Sequence, residues 1–158
     1  MRNSTLCYVE RDGKYLMMHR VKKKGDLNHD KWIGIGGGLE EGESPLDCVI
    51  REALEETGLE LLDPRYRGLV TFSFFDGQTL TTEQMHLFTC ADFSGNLNDD
   101  CDEGDLEWVP IERVPDLPIW EGDKIFLDLL VNEPRFFLLK LEYNGDDLIG
   151  HHLTVAGA

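Results

Sequence analysis

The segment from Ser44 to Gly58 constrains the fold most, because it carries the start, body and stop signals of a single helix. Ser44 is a common helix N-cap, Pro45 suits the first helical position, and Asp47 stands three residues after the cap. Gly58 is of the residue type that most often ends a helix. Apolar or weakly polar residues recur between these signals at helical spacing, namely Leu46, Val49, Ile50, Ala53, Leu54 and Thr57. The segment therefore predicts an amphipathic helix over about residues 45–57.

Three glutamates share one face of this helix. Glu52, Glu55 and Glu56 stand at i, i+3 and i+4, and the apolar stripe points more than a quarter-turn away. We therefore expect all three carboxylates to point outward from the core. Like charges at this spacing repel when they are only solvated, whereas a hard divalent cation such as Mg²⁺ takes several oxygen ligands. A solvated acidic face is the alternative for such a cluster standing alone.

The glutamates belong to a longer pattern that starts in a glycine-rich loop. Residues 32–42 read WIGIGGGLEEG, and residues 37–59 read GGLEEGESPLDCVIREALEETGL. The motif G-x5-E-x7-R-E-U-x-E-E-x-G-U, in which U is an apolar residue, is matched at each fixed position by Gly37, Glu43, Arg51, Glu52, Ala53, Glu55, Glu56, Gly58 and Leu59. In its motif the chain therefore resembles the Nudix hydrolases.

The resemblance implies a fold and a reaction class. It implies an α/β (α+β) protein, an αβα sandwich with a mixed central sheet, formed by one Nudix domain over residues 1–158. The implied reaction is hydrolysis of a nucleoside diphosphate linked to another group. The glycine-rich loop is expected to approach the phosphates with backbone N–H groups, aided by the start of the helix.

The resemblance also implies roles for residues of the motif. Metal ligands would be the carbonyl oxygen of Gly36 and the carboxylates of Glu52, Glu55 and Glu56, with Mg²⁺ as the cation and Mn²⁺ as a substitute. Glu43 and Arg51 would form an ion pair that orients the loop and the helix.

A carboxylate must take the proton of the attacking water when a phosphoanhydride is cleaved. Glu52 and Glu56 are candidates on the helix, and a further acid is expected in the loop that precedes residues 106–109. Within that loop the resemblance to 8-oxo-dGTP diphosphatases favours Glu103. The alternative for Glu103 is one more surface acid.

Segments outside the motif indicate the substrate. KWIGIGGGLEEGE, CDEGDLEWVP, PIWEGDKIF and PRFFLLKLEYNGDDL resemble the MutT/MutX-type 8-oxo-dGTP diphosphatases. In related oxidised-purine hydrolases a Trp and an Asp three positions later frame the base, and Trp120 and Asp123 fit that spacing. An indole stacks on a purine and a carboxyl group bonds its polar edge, although Trp120 could instead be core or rim packing. The resemblance thus implies hydrolysis of 8-oxo-dGTP to the monophosphate and pyrophosphate, which sanitises the nucleotide pool.

Three positions depart from those relatives. Ile33 follows Trp32 where the mammalian relatives carry Asn, and Gly122 replaces the first of two adjacent acids. Gly38 stands where many relatives place a Lys beside the phosphates. Because of the first two departures, a pyrophosphatase of broader (d)NTP or nucleotide-sugar specificity is the alternative prediction for this chain.

We expect substrate contacts from Trp32, Gly37 and Gly38 as well as from the pair Trp120 and Asp123. Because Gly38 carries no charge, the cationic contact is expected to pass to a residue after the second strand, and the candidates are Arg20, Lys22, Lys23 and Lys24. A solvated basic turn is the alternative for each lysine.

Charge and cysteine content limit the partners. Lys and Arg total 15 against 31 Asp and Glu, a formal net charge of −16, which argues against a nucleic-acid polymer. No apolar run is long enough for a membrane span, and four unpatterned cysteines predict reduced thiols in a cytoplasmic protein. A small nucleotide is the expected partner, and the sequence leaves monomer and homodimer both open. A non-catalytic nucleotide-binding module is the alternative class, but it would have no reason to keep three repelling glutamates together.

The rest of the chain predicts strands and one further helix. Turn signals at Asp12-Gly13, Asp76-Gly77 and Asn144-Gly145 separate strand-like stretches. The predicted strands are residues 5–11, 13–19, 67–75, 84–93, 106–109, 135–143 and 147–155, and the predicted second helix is 122–131.

Overall fold

A computed structural model describes residues 1–22, 25–98 and 101–157. Its helices are α1 (Pro45–Thr57), α2 (Glu121–Asn132) and a 3₁₀ helix at Ile111–Asp116. Its strands are β1 (Arg2–Arg11), β2 (Lys14–His19), β3 (Trp32–Ile33), β4 (Glu60–Leu61), β5 (Arg65–Phe75), β6 (Leu80–Cys90), β7 (Phe93–Ser94), β8 (Asp105–Pro110), β9 (Phe137–Asn144) and β10 (Asp147–Val155). Within the described ranges no helix is long and apolar enough to cross a membrane.

Most of the strands form one mixed sheet. Its order is β10-β9-β5-β6-β1-β2-β3, and β8 pairs with β2. The β1–β6 and β5–β9 pairs are parallel, whereas the hairpins β1–β2, β5–β6 and β9–β10 are antiparallel. The short strands β4 and β7 pair with each other. The order places β1 next to β6, so the chain's first strand is interior to the sheet.

Each face of the sheet is covered by one helix. Along β1 successive side chains point to opposite faces. Leu6 and Tyr8 therefore join the core cluster that contains Phe126 of α2, while Cys7 and Val9 join the cluster packed on α1. Two layers of helix around one sheet confirm the αβα sandwich that the resemblance implied.

Local signals set the ends of the best-predicted elements. Ser44 and Asp47 form a reciprocal capping box, and Gly58 ends α1 with a φ of 78°. Asp12 and Gly13 join β1 to β2 with φ values of 52° and 74°, as a type I′ turn requires. These boundaries agree with the sequence prediction because a few adjacent residues determine them.

Two expectations about the elements were wrong. Leu46 and Leu54 were assigned to the buried stripe of α1, but their exposed fractions are 46% and 54%. The side chains of α1 that are buried are Cys48, Val49, Ala53, Glu56 and Thr57. The prediction also started β1 at Thr5, whereas the strand begins at Arg2 because its polar first residues pair with β6.

Candidate active site

The glycine-rich loop lies directly against β1. Thr5 N–H donates to the Gly37 carbonyl at 2.8 Å, and Cys7 exchanges two backbone hydrogen bonds with Ile35 at 2.6 and 2.9 Å. A Cβ built on Gly36 would collide with the Thr5 carbonyl, and one on Gly37 would lie 2.6 Å from Glu52 Cδ. Close approach, to the backbone of β1 at Gly36 and to the Glu52 carboxyl group at Gly37, therefore explains these two glycines better than an unusual φ.

Arg51 of α1 connects the helix to this loop. Its guanidinium donates to both oxygens of Glu43 at 2.6 and 2.9 Å, and to the Gly38 carbonyl at 3.2 Å. The same side chain contacts Glu52 at 2.9 Å and Glu55 at 3.2 Å. Hydrogen bonds from Arg51 lower the pKa of Glu43 to about 2. Arg51 and Glu43 thus form the expected ion pair between helix and loop.

Glu56 is the buried acid of the site. Its residue is 9% exposed, and its carboxyl accepts a hydrogen bond from Gly36 N–H at 3.3 Å. Burial is the first cause, and repulsion from Glu52 and Glu103 the next, of a pKa raised to about 9. At neutral pH, without a cation, Glu56 is therefore protonated. The three helical glutamates do not all point outward as predicted, since Glu56 faces the interior and only Glu55 is exposed.

Glu103 reaches the same place from the loop before β8. Its carboxylate accepts from Arg20 at 3.0 Å, and it is hydrogen-bonded to Glu56. Arg20 also contacts Asp26 Oδ2 through both Nε and Nη2, each at 2.7 Å. Arg20 and Glu103, 83 positions apart in the chain, are thus brought together because β2, which precedes Arg20, pairs with β8.

A cavity of about 730 Å³ opens beside these carboxylates. At one end lie the glycine-rich loop and the acids, and at the other end lie aromatic and apolar side chains from β5, β9 and α2. The described residues that line it are Arg2, Ser4, Thr5, Leu6, Arg20, Asp26, Leu27, Asn28, Ile33, Gly36, Gly37, Gly38, Glu52, Glu56, Phe72, Phe74, Thr81, Glu83, Met85, Glu103, Trp120, Asp123 and Tyr143. Its volume suits a small organic ligand.

The second end of the cavity is built around Trp120. Its indole N–H donates to Asn28 Oδ1 at 2.7 Å, and its ring meets Tyr143 edge-on at a centroid distance of 5.6 Å. Asp123 is 6% exposed, and burial raises the pKa of its carboxyl to about 7. A Cβ on Gly122 would lie 2.5 Å from Tyr143 Oη, so the hydroxyl occupies the place of any larger side chain. This end therefore offers an aromatic wall and one buried carboxyl group.

Comparison with known proteins now identifies the family. The model of the NUDIX domain matches residues 1–130, which is most of the chain. The chain belongs to the Nudix family. It is a Nudix hydrolase, an enzyme that acts on nucleoside diphosphate-linked substrates.

Individual relatives agree with the assignment to the Nudix family. The chain is 32% identical to the uncharacterized Nudix hydrolase YvcI of Bacillus subtilis, over 80% of this chain and 77% of the relative. It is 30% identical to the oxidized purine nucleoside triphosphate hydrolase of Danio rerio, over 94% of this chain and 90% of the relative. The crystal structure of a mutator MutT protein from Bacillus halodurans superimposes with a TM-score of 0.86, at 27% identity and 97% coverage of both chains.

The Nudix fold brings most predicted site residues to the cavity. Those that line it are Arg20, Gly36, Gly37, Gly38, Glu52, Glu56, Glu103, Trp120 and Asp123. Glu55 points away and pairs with Arg51, while Trp32 lies beside the cavity with its ring stacked on His19 at 4.4 Å. Lys22 donates to the Cys101 carbonyl at 2.9 Å. Lys23 and Lys24 lie outside the described residues.

The donor set fits the divalent cation that Nudix hydrolases generally use, such as Mg²⁺. All the predicted donors are hard oxygens, namely the Gly36 carbonyl and carboxylates of α1, which is what Mg²⁺ requires. The described part of the chain holds no converged group of three acid, His or Cys side chains. Arginines explain this, because Arg51 holds Glu52 and Glu55 and Arg20 holds Glu103. Burial is the main cause of the raised pKa of Glu56, and repulsion from Glu52 and Glu103, which a cation would relieve, adds to it.

Several cavity residues were missed by the sequence analysis. Arg2, Ser4 and Glu83 come from the paired starts of β1 and β6, and Tyr143 comes from β9. Asn28 lies in the loop between β2 and β3. No local pattern marks these residues, since strand pairing alone brings them to the cavity. The polar start of β1 is the one signal that could have pointed to Arg2.

The contact between Gly36 and β1 makes a testable prediction. We expect Gly36→Ala to lower the free energy of unfolding by roughly 2–3 kcal/mol or more, because its Cβ meets backbone that cannot move aside. Gly38→Ala is the matched control, since its Cβ meets only the end of Arg2 at 3.5 Å and should change stability by less than about 0.5 kcal/mol. Urea denaturation measures both, and equal stabilities for the two variants would contradict the packing argument.

Proposed function

We propose that this Nudix hydrolase is a Mg²⁺-dependent nucleoside triphosphate pyrophosphohydrolase that prefers oxidised purines such as 8-oxo-dGTP. The products are the nucleoside monophosphate and pyrophosphate, and the cellular role is sanitation of the nucleotide pool. The observation that carries the proposal is one cavity with a carboxylate and glycine end and an aromatic end with a buried acid. The relative from Danio rerio, aligned over 94% of the chain, is named for hydrolysis of oxidized purine nucleoside triphosphates, which supports the same substrate class.

We assign the Nudix domain to the whole chain, residues 1–158. The family match ends at residue 130, yet β9 pairs with β5 along its length and supplies Tyr143 to the cavity. The last hairpin therefore completes the proposed base-binding end.

At the phosphate end, the proposed ligands of Mg²⁺ are Glu52, Glu55, Glu56 and the Gly36 carbonyl. Glu55 would have to turn from Arg51 toward the cavity to bind the cation. The cation, when bound, offsets charge on the phosphate oxygens and acidifies a bound water. Arg51 orients Glu52 and Glu55 through its two contacts near 3 Å. The glycine-rich loop leaves room for the phosphates at Gly36, Gly37 and Gly38, which carry no side chains.

Glu103 is our proposed acceptor for the proton of the attacking water. It reaches the cavity from the β8 side rather than from α1, and Arg20 fixes its carboxylate at 3.0 Å. Glu56 is a poorer acceptor in the cation-free protein, because its raised pKa keeps it protonated at neutral pH. Glu52, which is on α1 and lines the cavity, is the alternative acceptor.

At the base end, we propose that Trp120 stacks on the purine and Asp123 bonds its polar edge. The indole is already fixed by Asn28 and Tyr143, so little side-chain freedom is lost on binding. With a pKa of about 7, Asp123 is neutral in a large fraction of molecules at neutral pH. A neutral carboxyl group both donates and accepts a hydrogen bond, whereas a carboxylate only accepts.

Ile33 favours a second candidate, a Nudix pyrophosphatase of broader (d)NTP specificity. Its apolar side chain lines the cavity and offers no hydrogen bond to a base edge. Discrimination would then rest on Trp120, Asp123 and Asn28, and stacking by an aromatic ring accepts every base.

Competition between 8-oxo-dGTP and dGTP tests the proposal. We expect kcat/KM for 8-oxo-dGTP to exceed that for dGTP by at least tenfold, with no turnover after removal of divalent cations. Trp120→Ala is expected to raise KM for purine triphosphates more than for pyrimidine triphosphates, because a purine presents the larger stacking surface. Equal kcat/KM values for all (d)NTPs would favour the broader pyrophosphatase, and no turnover of any nucleotide would contradict both candidates.

A further inference from the structure

The cavity is too acidic to accept a polyphosphate without cationic help. Among the described residues that line it, Asp26, Glu52, Glu56, Glu83, Glu103 and Asp123 are acids, and Arg2 and Arg20 are the cations. A triphosphate adds further negative charge, and repulsion is strong in a partly desolvated cleft. The phosphate contact therefore depends on which of the two arginines can bind a phosphate without losing a carboxylate partner.

Arg20 is already used by the protein. Its guanidinium makes both contacts to Asp26 at 2.7 Å and a third to Glu103 at 3.0 Å, and its side chain is 12% exposed. A phosphate contact would require Arg20 to give up a contact with one of these carboxylates, of which Asp26 is 11% and Glu103 37% exposed. Arg20 therefore serves to position Glu103.

Arg2 has a different environment at the start of β1. Its side chain is 60% exposed, and its nearest carboxylate is Glu83, at a looser 3.6 Å from Nη1. Glu83 is in turn fixed by Ser4 Oγ, which donates to it at 2.6 Å. The guanidinium lies over Gly38, since Nη2 would be 3.5 Å from a Cβ built on that glycine. Arg2 thus presents a planar cation beside the glycine-rich loop, at the phosphate end of the cavity.

We propose that Arg2 is the polyphosphate-binding cation of this enzyme and occupies the space that Gly38 leaves open. A guanidinium can donate two parallel hydrogen bonds to phosphate oxygens, and the 3.6 Å contact with Glu83 keeps that of Arg2 at the edge of the cavity. The sequence predicted this cation among the residues that follow β2, whereas in the structure Arg2, the first residue of β1, lies beside the glycine-rich loop. The inference rests on the proposed function, because it assigns a ligand contact within the same site.

The arrangement can be tested by moving the charge. Gly38 has no positive φ, and its Cβ would meet no atom other than those of Arg2 within 4 Å. A lysine at position 38 therefore fits when the guanidinium is removed. The double variant Arg2→Ala/Gly38→Lys restores a cation to the same place from a different chain position. If Arg2 had only a structural role, this lysine would not restore tripolyphosphate binding.

Two measurements are made on wild-type protein, Arg2→Ala, Arg2→Ala/Gly38→Lys and the control Arg135→Ala. The first is binding of inorganic tripolyphosphate in Mg²⁺ by titration calorimetry, and the second is KM and kcat for purine and pyrimidine triphosphates. Arg135 is an exposed arginine that also pairs with one glutamate, Glu133, and it does not line the cavity. Thermal melting confirms that each variant is folded.

Arg2→Ala is expected to weaken tripolyphosphate binding and to raise KM for every triphosphate by a similar factor, roughly tenfold or more, with a smaller effect on kcat. The double variant is expected to recover most of the loss, and Arg135→Ala to match wild type. Tripolyphosphate affinity unchanged in Arg2→Ala, or a loss that Gly38→Lys does not reverse, would overturn the proposal. A loss of tripolyphosphate affinity in Lys23→Ala but not in Arg2→Ala would also overturn the proposal.

The two proposals fail in different ways. If wild-type protein hydrolyses no triphosphate, the proposed function fails, yet the calorimetric comparison still decides the role of Arg2. If wild-type protein hydrolyses triphosphates and the calorimetric comparison shows no change in Arg2→Ala, only the assignment of Arg2 fails.

Discussion

Glu56→Gln is expected to lower kcat by roughly 10²- to 10³-fold while making the cation-free protein more stable at pH 7. The activity falls because the amide removes a charged oxygen donor from the proposed Mg²⁺ site. The stability rises because burial raises the pKa of Glu56 to about 9, so the native side chain is neutral at pH 7 whereas the unfolded chain has lost that proton. Steady-state kinetics and thermal melting measure the two effects on the same protein.

The matched control for this experiment is Glu60→Gln. Glu60 is an exposed glutamate at the start of β4, and it does not line the cavity. The variant Glu60→Gln should therefore retain wild-type kcat and stability. Near-normal turnover by Glu56→Gln would refute the assignment of Glu56 to the cation site. A large drop in its melting temperature would show instead that the native protein needs the ionised carboxylate.

Asp123→Asn is expected to become more stable relative to wild type as the pH rises from 5 to 8, by roughly 2–3 kcal/mol. Burial raises the pKa of Asp123 from 3.8 to about 7, with Lys31 acting in the opposite direction. Between those values the folded protein binds a proton that the unfolded chain has lost. The contribution of Asp123 to stability is therefore full below pH 3.8 and is lost as the pH rises toward 7. Asparagine does not titrate, so the difference between the proteins grows over that window and then levels off.

Urea denaturation at several pH values measures this difference. Glu56 also has a raised pKa, but it is present in both proteins, so its contribution cancels. Asp128→Asn is the control, because Asp128 is exposed on the same helix, α2, and should show no growing difference. A pH-independent difference between Asp123→Asn and wild type would mean that Asp123 titrates normally and is not buried as described.

The sequence predicted the elements whose limits depend on adjacent residues. Helix α1 was predicted at its observed residues, because the Ser44 cap and the Gly58 stop act within one turn of the backbone. The two-residue strands β3, β4 and β7 and the 3₁₀ helix were not predicted. They are too short for any periodicity, and their pairing partners are remote in the sequence.

The structure brings most of the predicted site residues to one cavity, but their side chains do not all point in the expected directions. Glu52 and Glu56 line one cavity with the loop acid Glu103 and with the pair Trp120 and Asp123. Helical spacing placed the glutamates on one face but could not tell that Glu56 turns inward. The inward direction of Glu56 goes with a hydrogen bond from Gly36 N–H to its carboxyl group, and Gly36 is held there because the glycine-rich loop packs on β1.

The sequence by itself determined the family motif and the acids that the proposed chemistry requires, because the backbone of one helix and its two caps convert spacing along the chain directly into geometry. The αβα architecture was implied by the resemblance that this motif carries. Only the tertiary structure decided which acids have raised pKa values and which cation lies beside the glycine-rich loop. Burial raises the pKa of Glu56 and Asp123, and the parallel pairing of β1 with β6 brings Arg2 to Glu83, 81 positions further along the chain. Both effects arise from contacts between remote segments, which no local pattern of residues encodes.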